Sequence, residues 1–181
     1  PVTELPEGTI DVMFKYIDEI GCTPEDRVER LTPNDTISIV AAQHNPEDET
    51  GFLFVYAQDP KTGLPVSFDY LIGMETIFDS GLQASFNLSP LVFKAGSTGP
   101  DDHLLALDGQ EYEMMPDEIQ IPRFFGQGPG LVTPSPFVSE IIFINLTGGA
   151  MFTAAANLLI YNDNEQIFSS TIEFDCWDRV D

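Results

Sequence analysis

Apolar and polar residues alternate with a period of two along much of this 181-residue chain. The first such run, Thr9–Ile17, places four large apolar residues on one face of a strand and puts Asp11 and Lys15 on the other. Side chains of a β-strand point alternately to its two faces, so the pattern predicts half-buried strands. Long runs with the 3.6-residue period of a helix are nearly absent. We therefore expect an all-β protein.

Turn residues divide the chain into further strand candidates. Asp59-Pro60-Lys61-Thr62-Gly63 predicts a hairpin loop in which Gly63 adopts a positive φ, and Asp108-Gly109 predicts a second hairpin. The last three candidates are expected to form an antiparallel meander, with Gly148-Gly149 in its first turn. The candidates after the first run are Thr36–Gln43, Gly51–Gln58, Leu64–Leu71, His103–Leu107, Gln110–Met115, Phe137–Asn145, Thr153–Tyr161 and Gln166–Asp175.

Only one segment has a helix signal. Thr23-Pro24-Glu25-Asp26 resembles a capping box and predicts a short helix that continues to about Leu31, before Pro33 stops it. The Gly- and Pro-rich run Gly126–Pro136 predicts a long surface loop. At most one or two short helices are therefore expected.

The composition supports one sizeable core. Hydrophobic residues make up 43% of the chain, and 14 of them are Phe. This is enough apolar material for a single domain over residues 1–181. With roughly ten short strands, an antiparallel β-sandwich of jelly-roll or immunoglobulin-like type is the predicted fold.

The charge is strongly acidic, with 30 Asp and Glu against 7 Lys and Arg. Nucleic acid and anionic lipid need basic residues to displace counterions, so nucleic-acid binding is excluded. A membrane-spanning helix needs about 20 consecutive apolar residues, and no stretch of the sequence comes close to this length. No membrane insertion is therefore expected. The acidity has three explanations: solubility outside the cell, adaptation to high salt, or a supply of carboxylates to divalent cations.

The two cysteines, Cys22 and Cys176, lie near opposite ends of the chain. They lack the spacing of a zinc or redox site. We expect them to form a disulfide beside the first and last strand candidates, which indicates an oxidising, extracellular setting. Two free thiols in a reduced protein are the alternative.

No catalytic motif is present. The two histidines, His44 and His103, are expected in a turn and at a strand start, and no nucleophile, phosphate-loop or metal-hydrolase pattern accompanies them. Acidic residues are too numerous for a carboxylate pair to be informative. We therefore expect no catalytic residues, and a hydrolase with a carboxylate site stays an alternative. Trp177 is expected to cap the core beside Cys176.

Calcium is the expected cofactor, because it prefers oxygen ligands gathered at loops. The candidate metal ligands are Asn162, Asp163, Asn164 and Glu165 in one turn, and Asp101 and Asp102 in another. Solvated acidic turns without a metal are the alternative.

Two segments are candidates for contact with a partner. Phe124 and Phe125 are adjacent, so both cannot face one side of a strand, and an exposed aromatic here is a candidate partner contact. Thr9–Ile17 lies near the beginning of the chain and could pair with another subunit as an edge strand. Completion of its own sheet by this strand is the alternative.

Two passages of the sequence resemble segments of known proteins. Ile141–Asn145, followed by Leu159–Glu165, resembles the β-sandwich modules of exported bacterial surface proteins, in which a strand ending in Asn leads to a strand ending in an acidic turn. The resemblance covers mainly the C-terminal part of the chain. It implies an extracellular or cell-surface sandwich and carries over no catalytic residue.

These observations favour a secreted, non-catalytic structural or adhesion module that is part of a surface assembly. Its expected partner is a protein or an extracellular polymer. A calcium-assisted carbohydrate-binding module and a secreted hydrolase are the alternatives.

Overall fold

The computed structural model describes residues 5–18, 21–45, 50–79, 83–125, 139–146 and 152–180. In these ranges nearly all of the regular secondary structure is strand, with a single short helix, which confirms the all-β prediction. No helix in them has the length and apolarity needed to cross a bilayer. The elements are β1 (Ile10–Asp18), β2 (Pro24–Leu31), α1 (Ala41–His44), β3 (Gly51–Gln58), β4 (Glu75–Asp79), β5 (Ala84–Leu88), β6 (Ile141–Ile144), β7 (Ala154–Tyr161), β8 (Ile167–Phe174) and β9 (Trp177–Val180).

The described strands form antiparallel sheets that are small and separate. One sheet has three strands in the order β2-β1-β3, and three sheets have two strands each: β4-β5, β6-β9 and β7-β8. The two packed sheets of a sandwich, jelly-roll or immunoglobulin-like, are not seen in this arrangement. The pairing is antiparallel throughout the three two-stranded sheets.

Strand β1 carries the predicted alternation. The apolar residues Ile10, Val12, Phe14 and Tyr16 are buried, which makes this strand the main contributor to the described core. Asp11 lies on the opposite face, as expected. Period-two patterning was therefore sufficient to identify both the strand and its buried face.

The predicted helix after Thr23 is wrong, because Pro24–Leu31 is strand β2. Exposure alternates along the strand, and two ion pairs join it to β1. Lys15 Nζ lies 2.8 Å from Asp26 Oδ1, and Arg30 donates two hydrogen bonds, of 2.6 and 2.9 Å, to the carboxylate of Asp11. These cross-strand contacts override the local capping pattern.

The loop after β3 is closed as predicted. Gly63 has a φ of +70°, and its N–H donates to the carbonyl oxygen of Asp59 at 2.8 Å. The Asp59 carboxylate accepts hydrogen bonds from the N–H groups of Lys61 and Thr62, and these bonds lower the pKa of that carboxyl. The returning segment, predicted as strand Leu64–Leu71, forms only one isolated bridge, between Gln58 and Pro65.

Three other predicted strands are wrong: Thr36–Gln43, His103–Leu107 and Gln110–Met115. Residues 36–40 have no regular structure, and α1 follows them at Ala41–His44. The segments around Asp108-Gly109 form a compact turn instead of a hairpin ladder. Asp108 Oδ1 accepts hydrogen bonds from the N–H groups of Gln110 and Glu111, and Tyr112 N–H donates back to Ala106. These local hydrogen bonds take the place of the backbone pairing that a two-stranded hairpin would need.

The C-terminal hairpin is confirmed. Strands β7 and β8 pair over their whole length, from Ala154 opposite Phe174 to Tyr161 opposite Ile167. The predicted meander is wrong in its first strand, because β6 pairs with β9, with Ile144 opposite Trp177. The predicted loop Gly126–Pro136, the turn Gly148-Gly149 and the beginning of the strand predicted from Phe137 lie outside the described residues.

The chain divides into two compact units. One comprises Pro1–Phe14, Arg27–Ser38 and Val55–Glu118, and the other comprises Lys15–Asp26, Ile39–Phe54 and Ile119–Asp181. The first contains the β4–β5 sheet, and the second contains the β6–β9 and β7–β8 sheets. The single domain predicted over residues 1–181 stays a prediction.

Candidate interaction surfaces

The predicted disulfide is present and is confirmed. Cys22 and Cys176 are joined across 154 positions of sequence, with their Cα atoms 5.6 Å apart. Cys176 is buried and follows the end of β8. The bridge therefore ties the turn after β1 to the last hairpin of the chain.

A buried asparagine lies beside the disulfide. The Asn145 side chain donates hydrogen bonds to the carbonyl oxygens of Phe152, at 3.0 Å, and Asp175, at 2.8 Å. Its backbone N–H donates to the carbonyl oxygen of Cys176 at 2.8 Å. Asn145 therefore holds the end of β6 and both ends of the β7–β8 hairpin together. The rings of Phe143 and Phe174, 5.7 Å apart, pack in the same region.

The first candidate calcium turn is closed by its own hydrogen bonds. Asn162 Oδ1 accepts from the backbone N–H groups of Asn164 and Gln166, and Asn162 Nδ2 donates to Gln166 Oε1. Glu165 adopts a positive φ of 59°. The carboxylates of Asp163 and Glu165 are exposed to solvent. The Asn162 oxygen already accepts two hydrogen bonds, so of the four predicted ligands Asp163, Asn164 and Glu165 are left to a cation.

The second candidate calcium turn is also exposed. Asp102 Oδ1 accepts a hydrogen bond of 2.7 Å from the N–H of Leu104, and Asp101 precedes it on the surface. Across the described ranges no three His, Cys, Asp or Glu side chains gather closely enough to hold a metal ion. Calcium binding stays a prediction for both turns.

Phe124 and Phe125 both remain partly exposed. Phe125 is held in place by a pair of hydrogen bonds with Ser139: its N–H donates to Ser139 Oγ at 2.9 Å, and Ser139 N–H donates to its carbonyl at 2.8 Å. The guanidinium of Arg123 lies 5.6 Å from the centre of the Phe125 ring. Contact of these rings with a partner stays a prediction.

The two histidines have different surroundings. His44 Nδ1 forms a 2.8 Å hydrogen bond with the hydroxyl of Tyr16, on the buried face of β1. His103 is exposed beside Asp102. Trp177 is half-buried on β9, next to Cys176, and its role as a cap of the core stays a prediction.

Strand β1 cannot pair with another subunit as an edge strand. It is the middle strand of the β2-β1-β3 sheet, so both of its edges are occupied. The prediction of self-assembly through Thr9–Ile17 is therefore wrong, and the alternative that this strand completes its own sheet is correct.

A run of exposed apolar side chains leads into β4 and was missed by sequence reasoning. Its members are large, occupy every second position except 76, and are 67–98% exposed: Tyr70, Ile72, Met74 and Phe78. We call these four residues the apolar stripe. The alternation of apolar residues is visible in the sequence. The predicted strand Leu64–Leu71 stops before three of the four residues of the stripe.

The β7–β8 hairpin also exposes apolar residues. Leu159, Tyr161 and Ile167 share one face, because Tyr161 and Ile167 are paired and Leu159 lies two positions before Tyr161. All three are more than half exposed. The opposite face, which includes Ile160 and Phe174, is half-buried except near the turn.

No family model matches the chain, and comparisons with curated proteins and with solved structures gave no match either. The function is therefore proposed from the sequence and from the contacts, burial and charge described above.

Proposed function

We propose that this chain is a non-catalytic structural subunit of an extracellular assembly and that it acts by binding other protein chains. The observation that carries the proposal is the exposure of large apolar side chains on small sheets, on the apolar stripe and on the β7–β8 hairpin. Contiguous exposed apolar patches on soluble proteins commonly mark interaction sites.

The size of the sheets supports the same proposal. Three of the four sheets in the described ranges contain only two strands. A two-stranded sheet is marginally stable alone and needs a further strand or a packed face. Exposed apolar faces on such sheets are expected to be covered when neighbouring chains bind. We propose that a β-sandwich, of jelly-roll or immunoglobulin-like type, is completed in this assembled state.

The disulfide supports an extracellular location. Disulfides persist in oxidising compartments and are rare in the reducing cytosol. Cys22 and Cys176 are the only two cysteines of the chain, and they are bonded to each other. The bridge is compatible with a secreted protein, and the excess of acidic residues would keep such a protein soluble.

Cross-linking on intact cells that produce the protein tests this proposal. A cross-linker that cannot cross membranes is added, and the medium and surface fractions are analysed for this chain. We expect to find the chain in these fractions with its two cysteines joined in a disulfide. We also expect it in cross-linked products heavier than the 20.0 kDa single chain. Recovery only from the cell interior, or only as an uncross-linked single chain, would contradict the proposal.

A further inference from the structure

We propose that Asn34 is a site of N-glycosylation, at which the side-chain amide of the exported chain carries an oligosaccharide. This inference rests on the extracellular location in the proposed function, because exported chains are the ones that meet the transferases that attach such sugars. Asn34 follows strand β2 and lies in the same compact unit as the β4–β5 sheet.

Three acceptor patterns for N-glycosylation occur in the sequence. The pattern is Asn, then any residue except Pro, then Ser or Thr. It appears as Asn34-Asp35-Thr36, Asn87-Leu88-Ser89 and Asn145-Leu146-Thr147. The structure distinguishes these three positions, because it places their acceptor amides in different surroundings.

Asn145 cannot carry a glycan in the folded protein. It is buried, and its Nδ2 group donates hydrogen bonds to the carbonyl oxygens of Phe152 and Asp175. A side-chain amide has two N–H hydrogens, so both are used. A sugar on Nδ2 replaces one of these hydrogens and would also have to fit into a buried space. A chain modified at Asn145 therefore could not form both hydrogen bonds.

Asn87 is exposed, but it is held in a strand. It lies on β5, opposite Thr76 of β4, and its Oδ1 accepts a 2.9 Å hydrogen bond from the Thr76 hydroxyl. The acceptor pattern is followed directly by Pro90, which restricts the backbone of Ser89. Asn87 is therefore less accessible to an enzyme than an asparagine in a surface turn.

Asn34 lies in the middle of a closed and exposed turn. The N–H of Asp35 donates a 3.0 Å hydrogen bond to the carbonyl oxygen of Thr32, so Pro33 and Asn34 are the two central residues. Asn34 has a φ of +64°, and Pro followed by Asn with a positive φ is typical of a type II turn. Residues 32–36 are all exposed. The acceptor is therefore presented on the surface by a defined backbone conformation.

The contacts that hold the turn do not involve the amide of Asn34. The Asp35 carboxylate accepts hydrogen bonds from the N–H and the hydroxyl of Thr32 and from the N–H of Thr36. Within the part of the chain that the structure describes, the Asn34 side chain has no hydrogen bond. A sugar on its Nδ2 would therefore break no hydrogen bond there, in contrast to Asn145.

The reaction exchanges one hydrogen of Asn34 for a sugar. The donor is an oligosaccharide whose anomeric carbon is joined to a lipid phosphate. The bond from this carbon to the phosphate oxygen breaks, and the phosphate leaves with the electron pair. A bond from Nδ2 to the anomeric carbon forms, and Nδ2 loses one proton. Thr36 supplies the hydroxyl that the acceptor pattern requires, and it is exposed.

Mass spectrometry of the full chain tests the inference. The protein is recovered from the medium and surface fractions of the cells that produce it, as wild type and as three variants: Thr36→Ala, Thr36→Ser and Asn87→Gln. Thr36→Ala destroys the acceptor pattern but keeps Asn34 and the backbone N–H that donates to Asp35. Thr36→Ser keeps the pattern, and Asn87→Gln removes the other exposed acceptor. The intact mass detects a glycan, peptide mapping locates it, and circular dichroism verifies that the fold is retained.

We expect an oligosaccharide on the peptide that contains Asn34 in the wild type, in Thr36→Ser and in Asn87→Gln, and the loss of this added mass in Thr36→Ala. An unmodified wild type in the medium or surface fraction would overturn the inference and leave the proposed function standing. A glycan on Asn87 or Asn145 with Asn34 unmodified would also overturn it. The cross-linking on cells decides the proposed function independently.

Discussion

The side-chain amide of Asn145 donates a 2.8 Å hydrogen bond to the carbonyl oxygen of Asp175, the residue before the disulfide-bonded Cys176. The same amide group donates to Phe152. Asn145 is buried, so the Asn145→Ala substitution leaves two carbonyl oxygens without these donors. We expect it to lower the free energy of unfolding by about 2 kcal/mol, measured by urea denaturation.

Asn157→Ala is the matched control for this substitution. Asn157 is exposed on β7 and accepts one hydrogen bond, from the hydroxyl of Thr171. Its loss should change the free energy of unfolding by about 0.5 kcal/mol or less. Equal effects of the two substitutions would contradict the role assigned to Asn145.

The disulfide should contribute strongly to stability, because it closes a loop of most of the chain. We expect the Cys22→Ser/Cys176→Ser variant to lose about 4–5 kcal/mol of unfolding free energy on the chain-entropy estimate. Trp177 is the only tryptophan of the chain and neighbours Cys176, so its fluorescence can follow unfolding in both proteins. Two reactive thiols in the unfolded, unreduced wild type would show that the bridge does not form.

Tyr112 should make stability depend on pH in the alkaline range. Burial raises the pKa of its phenol above the ordinary value of 10.0, and the carboxylates of Asp69 and Glu111 act in the same direction. The neutral phenol is therefore favoured in the folded state. Its contribution is complete below the pKa of the unfolded chain and is lost as the pH rises through the higher pKa of the folded protein.

Tyr112→Phe tests this dependence. The substitution removes the hydroxyl that donates a 2.9 Å hydrogen bond to the carbonyl of Val66, at a cost of about 1 kcal/mol at neutral pH. Urea denaturation is then carried out at a series of pH values from pH 8 upward. The free energy of unfolding should fall less steeply with pH in the variant than in the wild type. Parallel pH profiles would rule out Tyr112 as the source.

Calcium binding at the acidic turns is tested by thermal unfolding. If calcium binds, the melting temperature rises on addition of millimolar calcium and falls again with a chelator, because a ligand of the native state stabilises it. The Asp163→Asn/Glu165→Gln variant should lose the rise if the site is at the β7–β8 turn. A rise of equal size with sodium chloride at matched ionic strength would indicate charge screening instead.

Elements whose partners are close in sequence could be predicted. The β7–β8 hairpin follows from two alternating runs around an acidic turn, and the buried face of β1 follows from its own periodicity. The Cys22–Cys176 bridge was predictable because the chain has no other cysteine to pair with. In each case the local pattern and the final contacts agree.

Elements decided by distant contacts could not be predicted. Thr23-Pro24-Glu25-Asp26 has the local pattern of a helix start, but the ion pairs of Asp26 with Lys15 and of Arg30 with Asp11 belong to a strand. The pairing of β6 with β9, rather than with β7, likewise depends on a contact between distant segments. The number of strands per sheet is a property of such contacts, so the separate small sheets were not foreseen.

The apolar stripe was missed for a different reason. Period-two apolar residues predict a strand with one buried face, and the pattern does not distinguish burial within the chain from burial against another chain. Ile72 is 98% exposed although its sequence context is that of a core residue. Only the structure reveals that the described part of the chain does not cover it.

Oxidation of methionines by hydroxyl radicals tests the central claim most directly, because the side chains of Met74 and Met114 are exposed to almost the same degree, at 67% and 70%. Met74 belongs to the stripe and Met114 does not. Oxidation of each is measured by mass spectrometry in the purified single chain and in the cross-linked products from intact cells. The account predicts that Met74 is protected in the cross-linked products while Met114 oxidises at an unchanged rate. Equal oxidation of Met74 in the two samples, or equal protection of both methionines, would contradict it.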